Sequence, residues 1–171
     1  LIARHLLDDR IYLCVSDSLL HKYYGEQADD LKKRALDGAL IKDFSRLPFC
    51  TLSNRLGELI EACFDEAGLV PKAYLSSTYS QIGSAICFQG LAACFATQMS
   101  LAIRASSIPP DINIFPLLYR GVQMHERLLL IRHRQRHLSR YAKRFLDLFL
   151  QYFANIERVQ LARNVHQPIE N

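Results

Sequence analysis

An α/β fold is predicted from three observations. Short apolar runs, polar cap residues and helical stripes follow one another in that order, three times over, between Leu47 and Ile103. The runs are nearly continuously apolar rather than alternating, as in parallel strands covered by helices on both faces. Half of the 171 residues are apolar and 22% are charged, enough for a sizeable core. This length corresponds to about one domain.

The elements follow in chain order. Ile11–Val15 is a β-rich run, and Ser16-Asp17-Ser18 supplies side-chain oxygens to cap a helix containing Leu19, Leu20, Tyr23 and Tyr24. From Gly25 to Asp43 the chain turns polar. Ala28–Leu36, with its acids first and bases later, suits an exposed helix on a solvated surface insertion. Leu47–Leu52 is a strand, and Ser53-Asn54 opens a helix with Leu56, Leu59, Ile60, Cys63, Phe64 and Ala67 at helical spacing, closed by Gly68. Phe49 is expected in the core. Lys72–Leu75, the caps Ser76-Ser77-Thr78 and the stripe Ile82, Ala85, Ile86 form the next unit. Leu91–Ala96 is a further strand, with Thr97 starting a short helix. Pro109-Pro110 marks a loop. Asn113–Leu118 and Arg127–Arg132 read as strands, and Ser139 caps a long helix with the stripe Ala142, Phe145, Leu146, Phe149, Tyr152, Phe153 and Ile156. Beyond Arg158 a polar, frayed tail is expected.

Composition narrows the function classes. Unbroken apolar stretches such as Leu91–Ala96 and Leu128–Ile131 fall far short of the ~18 residues needed to cross a bilayer, so no membrane association is expected. Leu1–Leu7 carries Arg4 and His5 without a small-residue cleavage site, and no secretory signal is expected. Cys14, Cys50, Cys63, Cys87 and Cys94 are widely spaced among apolar neighbours and read as buried thiols of a cytoplasmic protein. A net charge of +4 is only mildly basic.

The ordered series resembles the effector-binding domain of LysR-type transcriptional regulators. The resemblance is carried by LDDRIYLCVSDSLL (Leu7–Leu20), DFSRLPFCTLSNRLGELIEACFDEAGLVP (Asp43–Pro71), GLAACFA (Gly90–Ala96), INIFPL (Ile112–Leu117) and LLLIRHRQRHLSRYAKRFLDLF (Leu128–Phe149). It extends over Leu1–Phe153. Ala92 and Thr97 stand where the family usually has glycine and proline. The resemblance implies a type 2 periplasmic-binding-protein-like fold of two Rossmann-like lobes, one complete and one partial. It divides the chain into residues 1–10 as the end of partial lobe I, 11–112 as lobe II, 113–157 as the return strand and C-terminal helix of lobe I, and 158–171 as a polar tail. The winged helix-turn-helix of such regulators and the first part of lobe I are not within this sequence. Family dimers pair lobes side by side, which places the helix Arg55–Ala67 and the strand Lys72–Leu75 in a homo-oligomer contact.

In a parallel α/β sheet, ligands bind beyond the carboxyl ends of strands, where helix N-termini offer free N–H groups. The candidate ligand site is therefore Cys50, Thr51, Leu52, Ser53 and Asn54, with a second wall at Ser76, Ser77, Thr78 and Tyr79. The same hydroxyls and amide can serve simply as helix caps; the sequence permits both. A small carboxylate or other polar metabolite fits such a wall. Hinges are expected where the chain changes lobes, at Val15, Ser16, Asn113 and Phe115. Arg132–His137 with Arg140, Lys143 and Arg144 is the densest basic patch, read as a solvated turn and helix face. His133 and His137 both precede the predicted helix start at Ser139 and so do not lie on one helix, and no metal site is expected. Gly-x-Ser-x-Gly and Gly-x-Gly-x-x-Gly are absent, and Glu58, Glu61, Asp65 and Glu66 read as a charged helix face, so neither catalysis nor a cofactor is expected. The expected function is ligand sensing for a DNA-binding regulator, with promoter DNA contacted only through the N-terminal domain. A solute-binding protein of a transporter, and a small α/β enzyme with a site assembled across the chain, are the alternatives. Truncation of lobe I further predicts an exposed aromatic patch on the helix from Tyr141 to Ile156.

Overall fold

The computed structural model describes residues 1–135 and 138–165. Strand β1 (Ile2–Ser16) leads through Ser16, whose Oγ accepts from Leu19 N, into helix α1 (Asp17–Tyr24). Helix α2 (Ala28–Ala35) precedes strand β2 (Pro48–Leu52) and helix α3 (Arg55–Glu66). Strand β3 (Lys72–Ser77), helix α4 (Ser80–Phe88), strand β4 (Cys94–Thr97) and helix α5 (Gln98–Ile103) continue the alternation. Strand β5 (Ile112–Pro116) precedes a small hairpin of β6 (Leu118–Tyr119) and β7 (Val122–Gln123), then β8 (His125–Arg132) and helix α6 (Arg140–Glu157). The hairpin turns at Arg120-Gly121, both with positive φ, the backbone of a tight two-residue loop.

β1 belongs to two sheets. Its first half, Ile2–Arg10, pairs with β8, and its second half, Ile11–Ser16, pairs with β4 and β5. All three pairings of β1 are antiparallel, whereas the parallel sheet expected of the three successive strand–helix units is found among β2, β3 and β4. Parallel pairing holds between β2 and β3 and at the Phe49–Ala93 bridge, where Cys50 N donates to Ala93 O and Ala93 N to Pro48 O, both at 2.8 Å. These links order the larger sheet β3-β2-β4-β1-β5, so the one reversed strand is the one that enters from the smaller sheet.

Burial on both faces explains the unbroken apolar runs. Ile11, Leu13 and Val15 project into one core with Phe44, Phe49, Phe64, Phe95 and Phe115; Tyr12 and Cys14 project into the opposite one with Cys50, Cys87, Cys94, Ile112 and Leu161. Phe49 stacks on Phe95 with ring centroids 5.7 Å apart and meets Phe64 edge-on at 5.2 Å. All five cysteines are free and buried, and burial pushes the thiols of Cys50 up to about 11 and Cys63 to about 12.

Three parts of the chain differ from the sequence expectation. α2 is not a solvated insertion: Ala28, Leu31, Lys32 and Ala35 face inward, and Lys32 is only 1% exposed. Its ammonium tolerates burial because Asp17 and Asp29 each accept from Nζ at 2.7 Å. The described part of the 158–171 tail is not frayed. Arg163 pairs with Ile114 along the free edge of β5, and its guanidinium donates to the carbonyls of Ile112 and Pro109 at 2.9 and 2.7 Å. Burial lowers the Arg163 pKa. Residues 166–171 lie outside the described residues. Finally, β5 pairs with the Ile11–Ser16 half of β1, so Asn113–Pro116 belong with the larger sheet rather than with lobe I.

α6 packs Phe153 and Ile156 against Leu7, and Gln98 Nε2 donates to the carbonyls of Ile156, Glu157 and Val159 at the helix end. Along the rest of the helix Ala142, Leu146 and Phe149 are half-buried, while Tyr141, Phe145 and Tyr152 are exposed, Tyr141 at 87% and Phe145 at 63%, so the expected aromatic patch is present in part. On the smaller sheet's far face, Leu129 and Ile131 are 47% and 58% exposed.

The two sheets meet at Arg10–Ile11 on β1. Just before that point, the buried Asp9 accepts from Met99 N at 2.8 Å at the start of α5. Burial raises the Asp9 pKa against the opposing hydrogen bonds of Met99 N–H and the Thr97 side chain. A raised native pKa means the folded chain holds the proton more tightly. The Asp9 contribution to stability therefore falls as pH rises from the unfolded carboxylate value through the folded one, and stays low above it. Asp9→Asn, which keeps an acceptor for Met99, is expected to raise the thermal midpoint at neutral pH and to remove that fall, as read by unfolding curves across acid to neutral pH.

Candidate functional site

The site forms where β2 and β3, parallel neighbours, end side by side. Ser53 N donates to Ser77 O at 3.0 Å, which holds the two strand ends in register. The Ser53 and Thr78 hydroxyls lie 3.1 Å apart. Asn54 caps α3 by accepting from Gly57 N at 3.1 Å and donates through Nδ2 to Thr78 O at 2.8 Å. Ser77 Oγ accepts from Tyr79 N at 3.1 Å. Asn54 thus both caps a helix and cross-links the strand ends. The expected caps Ser76-Ser77-Thr78 cap no helix, because α4 starts one residue later, from Tyr79, without a side-chain cap. Ser53, Thr78 and Tyr79 remain solvent-facing.

α3 can start this close to the end of β2 only because residue 57 lacks a side chain. A Cβ on Gly57 would sit 1.8 Å from Leu52 O. The helix thereby directs its positive N-terminal end toward the gap between the two sheets.

Across that gap stands β8. A cavity of 460 Å³ is lined by Asn54, Arg55 and Leu56 from the larger sheet's side and by Glu126, Arg127 and Leu128 from the smaller one. Arg55 Nε lies 3.4 Å from Glu126 Oε1, an ion pair that spans the cleft. Arg127 Nε also lies 3.8 Å from Asp8, beside His5 and His125, and the hydrogen bond from His5 holds the Asp8 carboxyl below its usual value. The cavity walls therefore combine the Asn54 amide, the N-terminus of α3 and the Arg55 and Arg127 cations, with Glu126 opposite, while the Ser53, Ser77 and Thr78 hydroxyls stand at the adjoining strand ends.

Of the residues expected at the site, Thr51, Ser53, Asn54, Ser77, Thr78 and Tyr79 come together at the two strand ends. Cys50 and Leu52 turn their side chains into the core and offer only backbone. Arg55, Glu126 and Arg127 escaped the sequence reading. Arg55 follows a recognised cap and was within reach of the strand-end argument, whereas the approach of β8 has no local sequence signal.

The expected hinge residues lie elsewhere than at a change of sheet. Val15, Ser16, Asn113 and Phe115 are fully buried within the larger sheet, Val15 pairs with Asn113, and Asn113 Nδ2 donates to Val15 O at 3.2 Å. The chain instead changes sheet at Arg10–Ile11 and returns between Leu117 and His125, where Ile11 N donates to Met124 O and Met124 N to Leu117 O, both at 2.8 Å. The expectation fails because β1 continues as a strand well past the crossing.

Glu58, Glu61, Asp65 and Glu66 are exposed along α3. Arg136 and His137, parts of the basic patch and of the histidine pair, lie outside the described residues. Among the described residues, no group of three or more His, Cys, Asp or Glu could hold a metal, and no helix is long and apolar enough to cross a membrane.

A two-lobed α/β fold with a cleft between strand ends is the architecture of type 2 periplasmic-binding-protein-like domains. No protein-family model matches the sequence, and no curated protein matches it. Solved structures do share the fold. The regulatory domain of CcmR from Synechocystis PCC6803, in complex with 2-PG, is 12% identical with a TM-score of 0.63, over 90% of this chain and 67% of that one. The effector binding domain of QuiR in complex with shikimate is 13% identical with a TM-score of 0.56, over 90% of this chain and 66% of that one. Full-length CbnR complexed with its target DNA is 16% identical with a TM-score of 0.54, over 92% of this chain and 48% of that one. The fold is that of LysR-family effector-binding domains, and the chain spans about half of such a full-length regulator.

Proposed function

We propose that this chain is the effector-sensing part of a LysR-type, DNA-binding transcriptional regulator. A small carboxylate or other polar metabolite enters the cleft between Ser53–Arg55, Ser77–Tyr79 and Glu126–Leu128, and no chemistry is performed on it. The carrying observation is the side-by-side ending of β2 and β3 next to an open cavity in which Asn54 and Arg55 stand opposite Glu126 and Arg127 of β8. Solved structures of the same fold with bound 2-PG, shikimate and target DNA support the reading. A ligand touching both walls draws the sheets together, with pivots at Arg10–Ile11 and Leu117–His125, and passes that motion to a DNA-binding domain. The protein acts in the cytoplasm as a homo-oligomer joined through α3 and the exposed strand β3.

Calorimetric titration of the chain with a panel of small carboxylates and polar metabolites is expected to find saturable binding. Ser53→Ala with Thr78→Ala removes two hydroxyls, each worth about 0.5–1.5 kcal/mol, so affinity should fall roughly tenfold. In the full-length protein the same ligand should change promoter occupancy. Ligand-dependent solute uptake without any change at a promoter, or turnover of the ligand, would replace this reading with a transport protein or an enzyme.

A further inference from the structure

A groove of 260 Å³ opens between the end of α1, helix α2 and the turn Ile41–Phe44 that precedes β2. Its whole lining lies between Tyr24 and Arg46, so it is built from one lobe alone and includes nothing of the smaller sheet, of α6 or of the effector cleft. Ser45 and Arg46 lead into the first residue of β2, whereas the effector cleft lies beyond its last. The part of the fold that the resemblance places outside this sequence belongs to lobe I and adjoins the smaller sheet instead.

Three cations, Arg34, Lys42 and Arg46, meet in this groove, and the local structure explains why. Gln27, Leu31 and Arg34 follow one another at helical spacing and so share a face. Burying Ile41 and Phe44 in the core turns Lys42 and Asp43 outward. Arg46 N donates to the Tyr24 hydroxyl at 3.3 Å, and the Arg46 guanidinium lies 5.3 Å from the centre of the Tyr24 ring, which holds the turn against the end of α1. Among the described residues, none of the three cations joins an ion pair, while Lys32 on the same helix takes both Asp17 and Asp29. Asp43 is the single acid of the lining, so the groove keeps an excess of positive charge.

Charge, size and polarity together select the ligand. The volume lies just under the ~300–1,000 Å³ of drug-sized sites, so the occupant is smaller. Leu31 is the only aliphatic side chain of the lining, which gives an acyl or aryl body little to rest on. Three convergent cations fit a phosphate dianion, and Gln27, Ser45 and Asp43 beside them can bond to hydroxyls. Burial pushes the Tyr24 phenol up, which keeps its O–H as a further donor. Nucleic acid fits less well, because a row of phosphates would be drawn past the Asp43 carboxylate and repelled there.

We propose that this groove binds a small polyol phosphate, its phosphoryl group held by Arg34, Lys42 and Arg46 and its hydroxyls bonded by Gln27, Ser45 and Asp43. The site is separate from the effector cleft and does not depend on it.

The test titrates glycerol 3-phosphate calorimetrically into the chain at low ionic strength and pH ~8, where a phosphate monoester is a dianion. Saturable binding that persists in the Ser53→Ala, Thr78→Ala variant is expected, which separates this site from the effector cleft. Glycerol, which lacks the charge, should bind at least ~10-fold more weakly, and inorganic phosphate, which lacks the hydroxyls, at least ~3-fold more weakly. Arg34→Gln with Arg46→Gln is expected to weaken glycerol 3-phosphate at least ~10-fold. Lys33→Gln with Arg144→Gln removes as much charge outside the groove and should leave the affinity unchanged. All four residues are solvent-exposed, and an unchanged far-ultraviolet spectrum would show that the fold is kept. Equal loss in the two charge variants, full affinity in the Arg34/Arg46 variant, loss of binding in the Ser53/Thr78 variant, equal affinity for inorganic phosphate or glycerol, displacement by a short DNA duplex, or no saturation would each overturn the proposal.

Discussion

Gly57→Ala is expected to cost about 3 kcal/mol, the upper part of the usual range for overpacking, and to lower the urea midpoint accordingly. The reason is geometric. The new Cβ would meet the Leu52 carbonyl oxygen at 1.8 Å and its carbon at 2.6 Å, and backbone cannot swing aside as a flexible side chain does. Helix α3 must retreat from the end of β2, carrying Asn54 away from Gly57 N and from Thr78 O. Ligand binding at the strand ends should therefore fail even under conditions where the variant remains folded. Gly68→Ala is the control: its φ of +64° imposes strain but nothing lies within 4 Å of the added carbon. It should cost only about 1 kcal/mol and leave the site intact.

Phe95→Ala is expected to be more damaging still, at about 3–5 kcal/mol, measured by chemical denaturation. Phe95 is buried on β4, stacked on Phe49 and 6.3 Å from Phe64 in an edge-on contact. Its ring joins two strands to α3, so its removal leaves a cavity that no single neighbour can fill. Leucine at the same position restores much of the volume without the ring contacts and should recover most of the loss. If alanine and leucine are equally damaging, the ring contacts rather than the filled volume hold this core together.

The sequence made some of this architecture legible and hid the rest, along a physical divide. Ser16, Asn54, Thr97 and Ser139 all cap the helices assigned to them, because a cap is a contact over three residues whose partners are neighbours in the chain. The unbroken apolar runs of β1, β2, β4 and β5 also signalled strands buried on both faces, whereas the run at Lys72–Leu75 forms the exposed border strand β3. The direction of β1 was not legible: apolar content reports burial, and pairing direction is set by strands far away in sequence. The same limit applies to Lys32, whose acidic partners Asp17 and Asp29 come from α1 and its own helix, and to Arg163, which reads as a tail residue until β5 is placed beside it. At the candidate site, strand-end logic reached Ser53, Asn54, Ser77 and Thr78. It could not reach Glu126, which meets Arg55 only after two sheets are set face to face.

The covering of β5 by the segment at Arg163 has a consequence for self-association. Strands at the border of a sheet offer unpaired amides and carbonyls to any other chain. With β5 occupied, the larger sheet has one bare border among the described residues, along β3. A sheet with two bare borders can polymerise end to end into a fibre; one with a single border that pairs with its own kind about a twofold axis closes after two copies and stops.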